Sequence, residues 1–361
     1  MPDLFSFVEQ YGDQTFADKP LTDVDAVIIA QLAYLNFPQF AGHYAINTLT
    51  EFQLGRLTDQ VWEQTKSLKL LQLMAQSRRY RELRCVQTVS LDGLNGHCTA
   101  MDFDLDGRFH YVAFRGTQSD FRDWREDFTM AFKKVIPAQK SALRFLERAM
   151  KQNTGTYYVG GHSKGGSLAV YAFSHLTRAL SARVRHCFSL DAPDRLPHGR
   201  IRSRITKLVP QSTFIGILLD PTADFQVIAA HAVWMDQHNP FTWTTAGDSF
   251  LRRARIDGWA HYWQHTLAGW VRSLDREHIE LFVDGLFGAL SRTGTNNFEQ
   301  FGSKWQSNLR RLIRELGRGQ SRTRTAMRET TRRLLLSGLS AVPALIAPPT
   351  GQQASTGTHN W

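Results

Sequence analysis

The stretch from Thr156 to Phe173 constrains the fold of this chain more than any other part of its sequence. It reads TYYVGGHSKGGSLAVYAF, in which a short run of β-branched and aromatic residues meets a cluster of glycines. A helical pattern of apolar residues begins at Ser167, directly after the glycines. The segment therefore predicts a β-strand, a tight turn and an α-helix in immediate succession.

The turn contains the motif G-x-S-x-G, written here as Gly161-His162-Ser163-Lys164-Gly165. In α/β-hydrolases this motif forms the nucleophile elbow, a sharp turn that lifts a serine hydroxyl above the sheet. Side chains in place of the two glycines would clash as the chain doubles back on itself. The free N–H groups at the start of the following helix also favour a developing negative charge at this place. From the motif in its strand–turn–helix context we predict that Ser163 is the nucleophile of a serine hydrolase.

A serine hydroxyl needs a base that removes its proton and an acid that orients the base. In α/β-hydrolases the chain order is serine, then aspartate or glutamate, then histidine, which restricts the search to residues after Ser163. His238 lies in a loop-like stretch after the last strand-like segment, where this fold carries its base. We predict His238 as the base, with His231 as the alternative.

Several aspartates compete for the role of the acid. Asp191 ends the strand that follows the predicted nucleophile, whereas Asp220 and Asp224 follow the next strand. We predict Asp191 as the acid and keep Asp220 as the alternative acid. Asp194 is a further possibility.

An acyl-transfer site also needs an oxyanion hole, a set of N–H donors aimed at the tetrahedral intermediate. One donor is expected from the backbone of Lys164, the residue after the nucleophile. The other is expected from the loop after an earlier strand, where Gly116 and Thr117 follow a strand pattern. Thr117 can add its hydroxyl group.

Strand and helix patterns alternate through the middle of the chain. Strand patterns joined by tight turns run from Cys85 to Thr117, and the helical pattern at Ala138–Lys151 precedes the strand before Ser163. Further strand patterns occur at 182–190 and 205–209. Because strand–helix–strand order favours a parallel sheet, we predict the α/β class and an α/β-hydrolase fold with a mostly parallel central sheet.

Helical patterns flank this region on both sides. We expect a helical N-terminal segment, with an amphipathic helix at Asp23–Tyr34 and a second helix at Gln60–Leu83, and helices again from Asp248 through Leu290. The predicted domains are a lipase-like hydrolase domain at 1–290, a basic helical C-terminal extension at 291–347 and a disordered tail at 348–361.

The three cysteines, Cys85, Cys98 and Cys187, are widely spaced and predict neither a disulfide framework nor a metal site. We expect no cofactor. The N-terminal residues lack the apolar core of a signal peptide, and no apolar run is long enough to span a bilayer. These features predict a cytoplasmic protein that can also associate peripherally with a membrane.

Much of the positive charge lies in one segment. The chain carries a net charge of +10, of which Arg310–Arg333 contributes +7 through nine arginines and two glutamates. This segment also has apolar residues at helical spacing, which predicts a basic amphipathic helix suited to an anionic membrane surface. Nucleic acid is the weaker alternative because few aromatic residues interleave with the arginines.

Several short motifs occur in order within residues 1–290. They are Phe114-Arg115-Gly116-Thr117, Asp123-Trp124, the glycine-rich stretch Val159–Gly166, Val209-Pro210-Gln211-Ser212 and the stretch Gln237–Trp243. Together they resemble class 3 lipases and, more closely, a bacterial lipase-like α/β-hydrolase family of unknown function. The resemblance implies an α/β-hydrolase fold, with Ser163 and His238 at the motif positions of nucleophile and base.

One segment departs from the lipase pattern. Class 3 lipases resemble one another in an Asn-Asp-x-Val-Pro-type segment that carries the acid, whereas the equivalent here, Thr206–Pro210, has no carboxylate. Either the acid has moved to Asp191 or Asp220, or the triad is incomplete. The sequence thus predicts an esterase or lipase-like serine hydrolase that cleaves a carboxylic ester, including lipid esters, through an acyl-enzyme on Ser163. The alternative is a catalytically silent protein of the same fold that binds a lipid or a partner.

Overall fold

The structure, a computed structural model, describes residues 1–37, 44–91, 98–117, 125, 135–218, 224–295, 305–318 and 321–346. The chain divides into two compact units. The first unit comprises the described residues of 1–116 and 137–257, and the second comprises those of 117–136 and 258–346. Asp123-Trp124, Asp220 and the predicted tail at 348–361 lie outside the described residues.

Most of the strands that the structure describes form one eight-stranded sheet in the first unit. The strands in chain order are β1 Arg84–Leu91, β2 Cys98–Asp104, β3 Phe109–Phe114, β4 Thr156–His162, β5 Val184–Leu190, β6 Ile205–Pro210, β7 Gln226–Ile228, β8 Thr245–Ala246, β9 Ser249–Phe250 and β10 Arg252–Arg253. The order in the sheet is β1-β2-β3-β4-β5-β6-β7-β10. The strands from β3 to β7 pair in parallel, and β1–β2, β2–β3 and β7–β10 pair antiparallel. The mostly parallel sheet that the sequence predicts is confirmed.

Strand register places the candidate residues at one edge of this sheet. Gly161 pairs with Phe114, His162 pairs with Leu190, and Leu190 pairs with Leu208. The carboxyl ends of β3, β4, β5 and β6 are therefore level with one another. In open α/β sheets this edge is where ligands bind, because the loops that leave the strands converge there.

Helices flank the sheet and also build the second unit. In chain order they are α1 Leu4–Tyr11, α2 Asp23–Leu32, α3 Glu51–Leu57, α4 Gln64–Gln76, α5 Pro137–Gln152, α6 Lys164–Ser174, α7 Arg178–Arg183, α8 Gly258–Ser273, α9 Arg276–Arg292, α10 Trp305–Gly317, α11 Ser321–Ala341 and α12 Pro343–Ile346. Helix α5 lies where Ala138–Lys151 predicted it, between the parallel strands β3 and β4 in the chain.

The N-terminal helical segment is more deeply buried than its sequence pattern suggests. All ten residues of α2 are buried, so the predicted amphipathic helix has no solvent-facing side. Its Asp25 forms an ion pair with Arg79, 2.6 Å between Oδ2 and Nη2, with both side chains fully buried. A buried carboxylate is tolerated here because a guanidinium group neutralises it and Tyr80 also donates a hydrogen bond to it.

Two predicted helix boundaries are wrong for local reasons. The helix predicted at Gln60–Leu83 is shorter, because Gln60 and Glu63 adopt positive φ angles of 54° and 52° that an α-helix does not allow. The helix predicted from Asp248 begins only at Gly258, because β9 and β10 occupy the intervening residues.

The second unit is helical in its described part. Its apolar cluster joins Val283, Phe287 and Leu290 of α9 to Leu312 of α10. Among the described residues, no helix combines the length and the apolar character needed to cross a bilayer.

Candidate active site

The backbone turns sharply between the end of β4 at His162 and the start of α6 at Lys164. Ser163 occupies the turn with φ 57° and ψ −134°, a sparsely populated conformation for a residue with a side chain. Two backbone hydrogen bonds hold it: the Ser163 N–H donates to the Leu190 carbonyl at 2.9 Å, and the Gly166 N–H donates to the Ser163 carbonyl at 2.9 Å. Such strain costs roughly 1–3 kcal/mol and persists where surrounding contacts over-determine it.

The two motif glycines are required by close backbone approach. A Cβ atom on Gly165 would lie 2.0 Å from the Phe114 carbonyl oxygen, and one on Gly161 would lie 2.4 Å from the carbonyl carbon of Gly165. Only hydrogen fits at these positions. The predicted clash is confirmed, and it arises where the turn packs against the end of β3.

Asp191 follows β5 directly and is fully buried. Its Oδ2 atom lies 2.6 Å from Nδ1 of His238. Its Oδ1 atom accepts hydrogen bonds from the Thr213 hydroxyl at 2.7 Å and the Gly216 N–H at 3.1 Å. The buried carboxylate is thus held by three donors, which fix its orientation toward His238.

The Asp191 backbone is also strained, with φ 46°. Its N–H donates to the Leu208 carbonyl of the adjacent strand at 2.8 Å, which anchors the strained residue to β6. A left-handed conformation immediately after a strand turns the chain away from the sheet. It is the second strained residue at this edge, since Ser163 occupies the equivalent position after β4.

His238 ends a short 3₁₀ segment, Trp234–His238, and its side chain is 19% exposed. A neutral imidazole carries one proton, and the carboxylate of Asp191 can only accept. Nδ1 is therefore the donor to Asp191, and Nε2 remains as an acceptor. This is the tautomer that a general base requires.

A third residue joins His238 to the strand-to-helix turn. The backbone carbonyl of His238 lies 2.7 Å from Nε2 of His162, and the two imidazole rings lie 4.4 Å apart. Because a carbonyl only accepts, Nε2 of His162 carries the proton, and Nδ1 accepts a hydrogen bond from the Tyr34 hydroxyl at 3.0 Å. His162 precedes Ser163, so these bonds bring His238 beside the turn.

His162 is held in its neutral form. Burial lowers its pKa well below the ordinary value, and the neighbouring His238 lowers it further. The ring of Trp62 stacks on His162 with centroids 6.2 Å apart and an interplanar angle of 7°. A buried, neutral imidazole can donate and accept one hydrogen bond each without a counter-charge.

A family model described as Mbeg1-like matches residues 74–288, more than half of the chain, and this range includes Ser163, Asp191 and His238. The chain belongs to the Mbeg1-like family. No curated protein matches the sequence.

Solved lipase structures are similar to this Mbeg1-like chain at low identity. M37 lipase is 13% identical, with 53% of this chain and 67% of that one covered and a TM-score of 0.34. The Rhizomucor miehei lipase propeptide complex is 18% identical over 42% of this chain and 58% of that one, with a TM-score of 0.30. Lip2 lipase from Yarrowia lipolytica is 12% identical, with 41% of this chain and 64% of that one covered and a TM-score of 0.26. At these values no substrate and no residue role is transferred.

The mostly parallel sheet with its flanking helices and the strand-to-helix turn identify the α/β-hydrolase fold in this Mbeg1-like chain. The assignment to a bacterial branch of lipase-like proteins stays a prediction.

The other predicted candidates have different surroundings. Asp194 accepts from the Ser189 hydroxyl at 2.8 Å and pairs with Lys207 at 2.7 Å. Asp224 pairs with Arg202 at 2.5 Å on the surface. His231 is exposed. The structure thus brings Asp191 and His238 together, and Asp220 lies outside the described residues.

The two predicted oxyanion donors, Lys164 and Thr117, come from different elements of the chain. Lys164 is the first residue of α6 and directly follows Ser163. Gly116 approaches the turn closely, since a Cβ atom there would lie 3.0 Å from Cβ of Ser163. Thr117 follows Gly116 directly and is the first residue of the second unit.

The loop that carries His238 is fixed by the two downstream motifs of the sequence. Gln237 accepts a hydrogen bond from the Ser212 N–H at 2.9 Å and donates to the Ala232 carbonyl at 2.9 Å. The buried indole of Trp243 donates to the Gln237 carbonyl at 2.8 Å. The motif at 209–212 therefore supports the motif at 237–243 instead of supplying the acid.

Sequence reasoning missed His162 and Tyr34. His162 lies inside the G-x-S-x-G motif, but the search for histidines covered only residues after Ser163. Tyr34 follows an apolar helix, and its polar tip at the end of that helix is the only local signal. In the described part of the chain, no group of three or more histidines, cysteines, aspartates or glutamates could hold a metal ion.

Proposed function

We propose that this Mbeg1-like protein is a serine hydrolase that cleaves a carboxylic ester through an acyl-enzyme on Ser163. The observation that carries the proposal is the hydrogen bond between the buried Asp191 carboxylate and Nδ1 of His238, 2.6 Å long. It leaves Nε2 of His238 unprotonated in a loop that is hydrogen-bonded to the residue before Ser163. The chain order of the three residues is the one that α/β-hydrolases use.

The proposed reaction has two halves. Nε2 of His238 takes the hydroxyl proton of Ser163 while Oγ attacks the ester carbonyl, and the same proton then passes to the departing alkoxide. Water attacks the acyl-enzyme in the second half, with His238 again as the base, and releases the carboxylic acid. Asp191 stays ionised throughout and stabilises the imidazolium form of His238.

The developing oxyanion is proposed to accept hydrogen bonds from the N–H of Lys164 and from Thr117. The Lys164 N–H suits this role because Lys164 directly follows Ser163 at the start of α6, where the helix dipole favours a developing negative charge. The Gly116 contact with the turn supports Thr117, because it fixes the chain next to Ser163.

The proposed substrate is an ester, and a lipid ester in particular. The triad chemistry alone serves esters and amides alike, so the ester choice depends on the resemblance of the motifs to lipases. The solved structures that resemble this fold are named as lipases, which agrees with this choice but does not carry it.

Labelling with a fluorophosphonate probe tests the proposal directly. An activated serine displaces fluoride and forms a stable phosphonate ester on Oγ. We expect the wild-type protein to be labelled, and Ser163→Ala, compared with the surface control Ser203→Ala, to lose labelling completely. A folded wild-type protein without labelling, even with short-chain probes, would favour the catalytically silent lipid- or partner-binding protein.

A further inference from the structure

Helix α11 of the second unit exposes three apolar side chains in its C-terminal half, and Val342 and Leu345 expose two more directly after it. We call this set the leucine face; its members and exposed fractions are Leu335 65%, Leu336 49%, Leu339 70%, Val342 44% and Leu345 41%. Residues 335 and 339 are spaced by four, so they lie on one side of the helix. Large apolar side chains grouped in this way on a surface mark an interaction site.

The opposite side of α11 is packed, so the exposure is not that of a loose helix. The Trp270 indole donates to the Thr330 carbonyl at 2.9 Å, and the Ser337 hydroxyl donates to the Thr266 carbonyl at 2.6 Å. Gly338 is buried and a Cβ atom there would lie 2.9 Å from the Tyr262 hydroxyl. Helix α8 therefore holds α11 in an orientation that turns the leucine face outward.

Helix α8 carries a further exposed aromatic side chain near Leu345. Gly258 lies next to Leu345, because a Cβ atom there would lie 3.2 Å from the Leu345 carbonyl oxygen. The neighbouring Trp259 is 40% exposed and stacks on Tyr262 with centroids 5.5 Å apart. Tryptophan and tyrosine are the residues that favour the boundary between lipid headgroups and acyl chains.

Arginines continue the same row toward the N-terminal end of α11. Arg328 and Arg332 are exposed and precede Leu335 at spacings of seven and three residues, on the same side of the helix. Arg332 also pairs with Glu329 at 3.5 Å, but a pair this exposed is screened by solvent. One side of α11 is thus basic over its first half and apolar over its second.

We propose that this side of α11 is a docking surface for an anionic lipid bilayer. The leucine face would insert at the headgroup boundary while Arg328 and Arg332 bind lipid phosphates. Charge complementarity selects this occupant over an uncharged apolar partner, because the arginines lie in line with the leucines. The inference is independent of the catalytic proposal.

Vesicle flotation of the full-length protein tests the docking surface. Vesicles of phosphatidylcholine mixed with phosphatidylglycerol are compared with pure phosphatidylcholine vesicles. We expect binding to the anionic vesicles, a loss of roughly tenfold or more in Leu335→Gln/Leu339→Gln, and a loss of roughly twentyfold at low salt in Arg328→Gln/Arg332→Gln. Added salt should weaken wild-type binding and leave the remaining binding of the arginine variant nearly unchanged.

Matched variants separate docking from folding. Leu335→Met/Leu339→Met keeps the apolar surface and should bind as wild type does. Phe52→Gln and Arg178→Gln remove an exposed apolar residue and an exposed charge from the first unit, and both should bind normally. The proposal is overturned if Leu335→Gln/Leu339→Gln floats with anionic vesicles as wild type does, or if the wild-type protein does not bind anionic vesicles. If the wild-type protein does not bind vesicles but self-associates, and Leu335→Gln/Leu339→Gln abolishes this self-association, the surface would be assigned to a second copy of this chain.

Discussion

Two regions of the molecule depart from ordinary protein architecture in opposite ways. One is the sheet edge that holds Ser163, and the other is the leucine face on α11. At the sheet edge, polar and titratable groups are buried and two residues, Ser163 and Asp191, have strained backbones. On α11, apolar groups are exposed on a well-packed helix. Burial of polar groups and exposure of apolar groups both cost folding free energy, so each marks a place where a ligand is expected.

The two regions differ in what holds them. At the sheet edge the buried Asp191 carboxylate is positioned by specific hydrogen bonds from Thr213 and Gly216. On α11 the leucine side chains are positioned only by the helix that carries them. A single polar substitution should therefore be severe in the first region and nearly neutral for folding in the second.

The largest expected effect comes from Asp191→Asn. The amide keeps the size of the carboxylate but removes its charge, and it no longer stabilises the His238 tautomer with Nε2 unprotonated. We expect kcat on a soluble nitrophenyl ester to fall about 10⁴-fold. The surface variant Asp224→Asn should retain full activity. Activity of Asp191→Asn close to that of wild type would exclude Asp191 as the acid.

The next effect in size is on folding. Gly165→Ala places a methyl group 2.0 Å from the Phe114 carbonyl oxygen, which forces the turn away from β3. We expect a loss of about 3 kcal/mol in the free energy of unfolding, since overpacking against backbone relaxes poorly. Urea unfolding followed by circular dichroism measures it.

The control is another helical glycine. A methyl group on Gly55 in α3 would have no neighbouring atom within 4 Å, so Gly55→Ala should stabilise by about 0.4–1 kcal/mol. Equal effects of the two substitutions would mean that the turn is not held tightly against β3.

The sequence predicted much of this architecture because local patterns encode it. The strand–turn–helix around Ser163 follows from glycines and apolar periodicity, and both recur in the structure. The wrong helix boundaries near Gln60 and Asp248 have local causes that periodicity does not register, namely two left-handed residues and short strands.

The pairing of Asp191 with His238 was harder to predict. The two residues lie 47 positions apart, and their loops meet through the parallel alignment of β5 with β6 and through long-range contacts such as the Gln237–Ser212 bond. The contact of Tyr34 with His162 spans 128 positions and has no signature in the sequence. Tertiary contacts of this kind appear only once the sheet is assembled.

A smaller effect is expected in the pH dependence of stability. Burial holds the pKa of His162 well below its ordinary value of 6.5, so the folded state binds fewer protons than the unfolded state as pH falls below that value. The free energy of unfolding should therefore decrease with acidification below about pH 6.5 and be unaffected by this residue at higher pH. His162→Gln should show a shallower decrease over the same range.

The measurement is the thermal midpoint between neutral and mildly acidic pH. Tyr34→Phe is a useful companion, because it removes the hydroxyl that donates to Nδ1 of His162 and should cost about 1 kcal/mol at neutral pH. A pH slope in His162→Gln that matches wild type would assign the acid sensitivity to other residues.

The smallest effect on folding is expected for a polar substitution on the leucine face. Leu339 is 70% exposed, so Leu339→Gln should change the free energy of unfolding by less than about 0.5 kcal/mol. Leu290→Ala in the apolar cluster of α9 should cost about 2–5 kcal/mol, because it leaves a cavity among packed side chains. Urea unfolding compares the two variants. A large loss in Leu339→Gln would mean that the leucine face is covered within the folded chain, and the contrast with the sheet edge would then disappear, because both regions would depend on specific internal contacts.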